Sequence, residues 1–304
     1  MISKFNNPKL IYRKLKLSDY EEFRKLFQHC FKKKISFNFY KWRYFNDQNS
    51  FCFGVFYSSK LIANVGLVSL RLNNSKKELT FSRHSSMVLR KFRGQGIFSN
   101  LQNYVRNIIL KKSEYIVMWP NINNFANFGF KKKFIIKKKY YLYRSLLISS
   151  SFKKTNNYKI DKLLKLKNFF NNSDSFFLKN YIYFKKRYLS YKENEYFINE
   201  YKLKKYKSYF ILKRHRDKTG SNYILLDHFG SKEIFKKHFQ NLKIDFKNLI
   251  FLSKKKIDKP NYQFINYLTF KVGFVKLSNL SLKKKALNEK KIFLGDSDIF
   301  ITIK

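Results

Sequence analysis

Two glycines, Gly94 and Gly96, stand where the sequence predicts a strand to end and a helix to begin. Residues 78–89 have the composition of a long strand, and apolar residues of 97–111 recur on one helical face. At such a junction backbone N–H groups lack internal acceptors, and glycine permits the positive φ angles that turn them toward one ligand. The helix dipole adds positive charge, as do three nearby cations: Arg90, Lys91 and Arg93. The segment predicts a phosphate or pyrophosphate site.

The glycine spacing excludes two other phosphate-binding loops. No Gly-Lys-Ser/Thr follows the pair, as the loop of P-loop nucleotidases requires. A dinucleotide-binding fingerprint needs a third glycine near Ser99 and an early position in a βαβ unit, and the segment has neither.

The run Arg93-Gly94-Gln95-Gly96-Ile97 resembles the acetyl-CoA signature of the GNAT superfamily of N-acetyltransferases, Q/R-x-x-G-x-G/A, with Lys91 at the first position. The segments 119–125 and 128–130 resemble the family's next piece, a strand end, an Asn-bearing loop and a helix closing on Gly-Phe. In the family these strands splay apart to admit the pantetheine arm. The resemblance covers about residues 10 to 146 and implies acetyl-CoA as co-substrate. The binding residues it implies are Met87, Val88, Leu89, Lys91, Arg93, Gly94, Gln95, Gly96, Ile97 and Phe98, with Asn121 or Asn124.

The reaction implied is direct attack of a substrate amine on the acetyl thioester, without a covalent enzyme intermediate. Backbone N–H groups of 87–89 would orient the thioester carbonyl and stabilise the charge developing on its oxygen. A base must deprotonate the amine, and two candidates lie upstream on the same strand, His84 and Glu78. Histidine suits the task better, because its ordinary pKa lies near neutrality. The tyrosine that often serves as general acid in the family is replaced by Phe125 or Phe128.

Strand and helix signals alternate along the first half of the chain. They predict a helix after Ser18, a hairpin of strands 51–56 and 61–71, the long strand and helix around the glycines, and strands at 115–119 and 134–146. This order predicts an α/β (mixed α+β) domain with a GNAT-like mixed sheet flanked by helices.

The second half carries a degenerate echo of the first. Residues 183–188, Tyr-Phe-Lys-Lys-Arg-Tyr, resemble residues 39–44, Phe-Tyr-Lys-Trp-Arg-Tyr. Strands at 196–201 and 223–227 and a helix at 232–239 follow, although no glycine pair precedes that helix. We expect a duplicated fold, with a GNAT domain at 1–146, a degenerate copy at 147–304 and a linker within 147–175. The alternative is a chance match.

The acceptor is the least constrained part of the reaction. The tail 293–300 resembles endings of tandem-domain GNAT proteins from surface-polysaccharide gene clusters, which implies an amino-sugar acceptor, either free or nucleotide-linked. The residues 42–44, Trp-Arg-Tyr, either line an acceptor pocket or pack a helix with Arg43 in an ion pair.

The net charge of +47 raises the alternative of a nucleic-acid partner. Lysines far outnumber arginines and are scattered along the chain, and the abundance of Lys, Asn, Phe, Ile and Tyr is typical of an AT-rich genome. We therefore expect no dedicated nucleic-acid function, although a Fem-type transferase using aminoacyl-tRNA and a non-catalytic basic protein remain alternatives. The sequence shows no membrane-spanning run or signal peptide, and its two cysteines fit neither a disulfide framework nor a metal site. A cytoplasmic protein is expected.

Overall fold

The structure is a computed structural model that describes residues 10–72, 78–113, 115–118, 134–145, 156–159, 178–191, 196–217, 220–231, 233–245, 249–253, 262–264 and 270–276. The helices are α1 Tyr20–Phe31, α2 Phe37–Tyr44, α3 Ile97–Ile109, α4 Tyr181–Phe184, continued by a π-helical turn Lys185–Leu189, and α5 Phe235–Asp245. The strands are β1 Leu10–Lys14, β2 Phe51–Tyr57, β3 Lys60–Arg71, β4 Leu79–Val88, β5 Tyr115–Met118, β6 Phe134–Ser145, β7 Asn156–Lys159, β8 Tyr196–Leu203, β9 Tyr206–Asp217, β10 Gly220–Gly230, β11 Leu249–Ser253, β12 Tyr262–Phe264 and β13 Phe270–Lys276.

The chain divides into two compact units. The first comprises Met1–Leu70, Leu79–Met118 and Val275–Asn279, and the second comprises Arg71–Glu78, Trp119–Phe274 and Leu280–Lys304. The boundary between domains 1–146 and 147–304 stays a prediction. The strand predicted at 134–146 is β6, which pairs with β11 in the second unit.

The first unit contains a mixed sheet in the order β1-β2-β3-β4-β5. Strands β1, β2 and β3 pair antiparallel, whereas β4 and β5 pair parallel with α3 between them in sequence. Helix α3 places four apolar residues in the core because they recur at helical spacing: Ile97, Leu101, Val105 and Ile109. The sheet and its helices have the mixed α+β architecture that the sequence predicts.

The second unit repeats this order of elements. Strands β7, β8, β9 and β10 pair antiparallel in sequence, and β10 then pairs parallel with β11 after α5. The echo at 183–188 lies on α4 and its π-helical turn, just as the motif at 39–44 lies on α2. The two units thus share an order of elements, and the duplication itself stays a prediction.

Aromatic side chains fill the space between α1 and α2. The ring centroids of Phe23 and Tyr40 lie 4.7 Å apart, and those of Phe23 and Tyr44 lie 5.8 Å apart in an edge-on contact. All three side chains are fully or almost fully buried. Such ring pairs stabilise packing beyond the burial of apolar area, so they hold α2 against α1. Within the described residues, no helix combines the length and the apolar character needed to cross a membrane.

Candidate functional site

The candidate site lies around the end of β4. The parallel pairing joins Phe81–Arg83 to Ile116–Met118, and β4 continues to Val88. Just beyond that strand end, the N–H of Leu89 donates to the carbonyl oxygen of Ile62 on β3, over 2.9 Å. Neighbouring residues of a strand direct their N–H groups to opposite sides. The N–H of Val88 therefore points away from β3, toward the side on which β5 pairs earlier along β4.

The residues after β4 form a tight turn that leads into α3. A 3-10 turn, Arg90–Phe92, is followed by the glycine loop, which we define as Arg93–Gly96. Gly94 and Gly96 have φ angles of 80° and 74°, in the left-handed region that disfavours other residues. Gly96 is the N-cap of α3 and supplies no side-chain cap, so the first N–H groups of the helix are left for another acceptor.

Space is open on the outer side of the glycine loop. A Cβ atom added to Gly94 or to Gly96 would meet no heavy atom within 4 Å, and the whole loop is exposed. These glycines are therefore required by backbone conformation and not by a neighbouring protein group. An exposed, uncapped helix start with positive φ angles fits the phosphate cradle that the sequence predicts.

The cations of the site are held at its rim. Arg90, Lys91 and Arg93 are exposed, and the Nε of Arg93 donates to the carbonyl oxygen of Val88 over 3.1 Å. The side-chain amide of Gln95 donates to the carbonyl oxygen of Lys91 over 2.9 Å, which braces the glycine loop against the 3-10 turn. The charge thus lies beside the open face of the loop, where it would attract an anion.

The apolar members of the predicted set support the loop from below. Met87 and Ile97 are buried, so their side chains pack in the core and only their backbone can contact a ligand. Phe98 is half-buried and lies 5.9 Å from the guanidinium of Arg83, measured to the ring centroid. Burial lowers the pKa of Arg83 to about 10, so this guanidinium stays charged at neutral pH.

The two candidate bases occupy different places. His84 is a half-buried residue of β4 in the first unit. Glu78 immediately precedes β4 in the part of the chain that belongs to the second unit, and its carbonyl oxygen accepts from the N–H of Leu72 over 2.8 Å. Asn121 and Asn124, like Phe125, Phe128 and the tail 293–300, lie outside the described residues.

The Trp42-Arg43-Tyr44 segment is buried on α2, with 9% or less of each residue exposed. The Arg43 guanidinium lies 5.5 to 5.9 Å from the ring centroids of Phe39, Trp42 and Tyr44. These contacts confirm helix packing for this segment, while the ion pair of Arg43 stays a prediction.

Sequence reasoning missed a set of polar residues behind β4. The Tyr44 hydroxyl donates to Ser85 Oγ over 2.7 Å, and the Asn64 amide donates to the Ser85 carbonyl oxygen over 2.9 Å. The thiol of Cys52 in turn donates to Asn64 Oδ1 over 3.0 Å. Ser85 has a φ angle of 46°, an uncommon value for a residue other than glycine inside a strand. In the sequence, only the serine-rich interruption of an otherwise strand-like segment indicates this irregular backbone.

The second unit has no comparable open loop at the end of β10. Gly230 has a φ angle of 92°, yet a Cβ there would lie 2.5 Å from the carbonyl oxygen of Lys207. The N–H of Ser231 donates to that same oxygen over 2.8 Å. Within the described residues, backbone thus lies next to Gly230, in contrast to the open space at Gly94 and Gly96.

Buried polar groups of the second unit are instead paired with one another. Asp227 accepts from the Lys179 ammonium and from the hydroxyl of Tyr188, and all three residues are almost fully buried. A second chain of bonds runs through the ring of His238, with Ser208 Oγ 2.8 Å from Nδ1 and Asn199 Oδ1 2.7 Å from Nε2. These contacts hold the second unit together and expose no reactive group.

No family model and no curated protein sequence matches this chain. Solved structures do match it. A GCN5-related N-acetyltransferase from Anabaena variabilis superposes with a TM-score of 0.60 at 10% identity, covering 88% of this chain and 73% of that one. A GCN5-related N-acetyltransferase from Kribbella flavida gives 0.55 at 10% identity, covering 88% and 72%. Eis1 from Mycobacterium abscessus gives 0.55 at 9% identity, covering 88% and 73%.

These similarities extend over most of the chain at very low sequence identity. They show that the chain has the GNAT fold, a mixed sheet flanked by helices. The fold that the glycine segment implies is therefore confirmed, while activity has to be argued from the site.

Proposed function

We propose that the first unit binds acetyl-CoA and transfers its acetyl group to a primary amine. One observation carries this proposal: a glycine loop with two positive φ angles and open space above it leads directly into the uncapped start of α3. The pyrophosphate of acetyl-CoA would accept hydrogen bonds from this backbone, with Arg93 and Lys91 at its side. Asn121 or Asn124 would contact the pantetheine arm.

The N–H of Val88 is proposed to donate to the thioester carbonyl oxygen. It points away from β3, whereas the N–H of Leu89 is already bonded to Ile62. A fixed backbone donor stabilises the negative charge that develops on this oxygen when the amine attacks. The Met87 N–H lies one residue away on the alternating side, so Val88 is the more favourable donor.

In the proposed reaction a C–N bond forms between the amine and the acetyl carbon, and the C–S bond of the thioester breaks. His84 takes the proton that leaves the amine, directly or through water, and Glu78 is the alternative base. The departing thiolate takes a proton from water. The acceptor proposed is an amino-sugar, free or nucleotide-linked, and the positive charge near the loop would attract the phosphates of the nucleotide-linked form.

Transfer of radiolabelled acetyl from acetyl-CoA tests this function. Glucosamine, a nucleotide-linked amino-sugar and polylysine are suitable acceptors, with glucose as the control that lacks an amine. We expect His84→Gln to lower kcat at least ~100-fold, while His29→Gln, at an exposed site on α1, keeps the wild-type rate. Equal rates for both variants would remove His84 as the base and direct the test to Glu78→Gln.

A Fem-type transferase that uses aminoacyl-tRNA is the second candidate, since the duplicated fold and the charge of +47 favour it. A basic protein without catalysis is the third. Binding of tRNA that survives physiological salt, together with no binding of acetyl-CoA, would support these alternatives.

A further inference from the structure

Ser85 introduces a left-handed residue into the strand that carries Val88. Its φ angle of 46° resembles the first residue of a β-bulge, where one extra residue bends the strand and interrupts its alternation. After a one-residue insertion, each following residue of a strand faces the opposite side. The conformation of Ser85 therefore determines which of the next N–H groups points away from β3.

Two hydrogen bonds hold Ser85 in this conformation from different elements. Tyr44 on α2 donates to its hydroxyl over 2.7 Å, and Asn64 on β3 donates to its carbonyl oxygen over 2.9 Å. Both donors are buried, with 1% of Tyr44 and 0% of Asn64 exposed. The side chain and the backbone of Ser85 are thus fixed separately.

The position of Tyr44 is itself determined by close packing. A Cβ on Gly66 would lie 2.4 Å from Tyr44 Cε1, so only glycine at this point of β3 lets the ring lie against the strand. Burial raises the pKa of Tyr44 to about 12, which keeps its hydroxyl protonated and able to donate. The bond from Tyr44 to Ser85 is therefore a fixed feature of the unit at neutral pH.

The second unit contains the same arrangement. Tyr188 follows α4 as Tyr44 ends α2, and its hydroxyl donates to Asp227 on β10. The pairing of β10 with β9 shifts register between Leu225 and Asp227, so Asp227 lies beside an irregularity of its strand. Ser85 likewise interrupts β4, through its φ angle of 46°. In both units a tyrosine hydroxyl thus bonds to the long strand at or beside an irregular backbone position, which argues against an accident of packing in one.

We infer that Tyr44, with Asn64, is a positioning residue that sets the Ser85 bulge and thereby aims the Val88 N–H at the thioester carbonyl. This inference rests on the proposed function. Tyr44 touches no substrate and acts only through the geometry of β4, so its loss is expected to reduce the polarisation of the bound thioester without removing acetyl-CoA from the glycine loop.

Infrared difference spectroscopy of carbonyl-¹³C acetyl-CoA bound to the protein tests this inference. Hydrogen bonding lowers the carbonyl stretching frequency, so in Tyr44→Phe the band should return toward that of free acetyl-CoA. The rate of CoA release should fall about tenfold, while the Kd for acetyl-CoA stays within about threefold. Ser85→Ala leaves the buried Tyr44 ring in place. It should shift the carbonyl band as Tyr44→Phe does, and it should likewise lower the rate of CoA release while leaving the Kd for acetyl-CoA nearly unchanged.

Tyr40→Phe is the matched control. Tyr40 is also a buried tyrosine of α2, and its hydroxyl donates to the Lys16 carbonyl oxygen over 2.9 Å, away from Ser85. The Tyr40→Phe variant loses a comparable hydrogen bond, yet the carbonyl band of acetyl-CoA bound to it should match that of the wild-type complex. If Tyr44→Phe and Tyr40→Phe give the same band and rate, the positioning role is overturned while the acyltransferase proposal stands. Failure of the wild-type protein to bind acetyl-CoA overturns both.

Discussion

In the first unit the Nε of Arg93 donates to the carbonyl oxygen of Val88, with 3.1 Å between the two atoms. This bond ties the glycine loop to the end of β4, where the thioester is proposed to bind. The Arg93 side chain thus links these two parts of the site directly. It therefore combines a positive charge for a phosphate with a geometric role, and the two can be separated by substitution.

Arg93→Lys keeps the charge and loses the Nε donor, whereas Arg93→Gln loses the charge as well. We expect the Kd for acetyl-CoA to rise about threefold to tenfold in the first variant and about tenfold to 100-fold in the second. Titration calorimetry at two salt concentrations measures both. Arg24→Gln removes one charge from α1, where Arg24 pairs with Glu21, and should change the Kd little. Equal Kd values for all three variants would contradict a role for Arg93.

Gly94 and Gly96 should be replaceable by asparagine at lower cost than by alanine. Alanine at a positive φ angle costs about 1–2 kcal/mol, while asparagine tolerates that region. Because a Cβ at either position meets no protein atom, the loss of stability should come from the backbone alone. Urea unfolding of Gly96→Ala and Gly96→Asn measures the difference. A stability loss as large for asparagine as for alanine would argue against a conformational cause.

The ion pair of Lys179 and Asp227 should be the most sensitive polar contact of the second unit. Lys179→Met leaves a buried carboxylate without its cation, which is expected to cost about 3–5 kcal/mol of unfolding free energy. Lys179→Met combined with Asp227→Asn should recover much of that loss. The control, Lys202→Met, removes a cation that is 53% exposed and lies 3.4 Å from Glu200, and its effect should stay below ~1 kcal/mol. Additive losses in the double variant would show that the two side chains are not coupled.

Burial lowers the pKa of His238 from its ordinary value of 6.5 to about 3. Between these values the unfolded chain binds a proton that the folded chain does not. The stability contributed by neutral His238 is therefore fully present above about pH 6.5 and is lost as the pH falls toward 3, by up to ~1.4 kcal/mol per pH unit. Unfolding free energies at pH 7, 6 and 5 should fall less steeply in His238→Gln than in wild type. Parallel curves would contradict this role for His238.

The elements around the glycine loop could be predicted because each has a strong local signal. Aromatic and β-branched residues mark β2 and β3, the Ser58-Ser59 turn closes their hairpin, and the spacing from Ile97 to Ile109 marks α3. Strand β1 was not predicted, because its five residues have no regular alternation of buried and exposed positions. Helix α2 gave no helical stripe, since five of its eight residues are buried and the charged Arg43 is among them.

The candidate site could be predicted only where it is local in sequence. Arg93–Gly96 depends on neighbouring residues, whereas Tyr44 and Ser85 meet across 41 positions of the chain. Such a contact depends on how α2 packs against β3, and no pattern in a single sequence encodes it. The same holds for the bonds of His238 to Ser208 and Asn199.

The most direct test of the central proposal is acetyl-CoA binding to the wild-type protein and to Gly94→Asp, measured by calorimetry at physiological salt. Asp adds a carboxylate and a strained φ angle in the open space above the glycine loop. Asn38→Asp, at an exposed position on α2, adds the same charge as a control. We predict micromolar binding in the wild type and in Asn38→Asp, and none in Gly94→Asp. If the wild type does not bind acetyl-CoA, or if Gly94→Asp binds it as tightly as the wild type does, the glycine turn is structural and the acetyltransferase account is wrong.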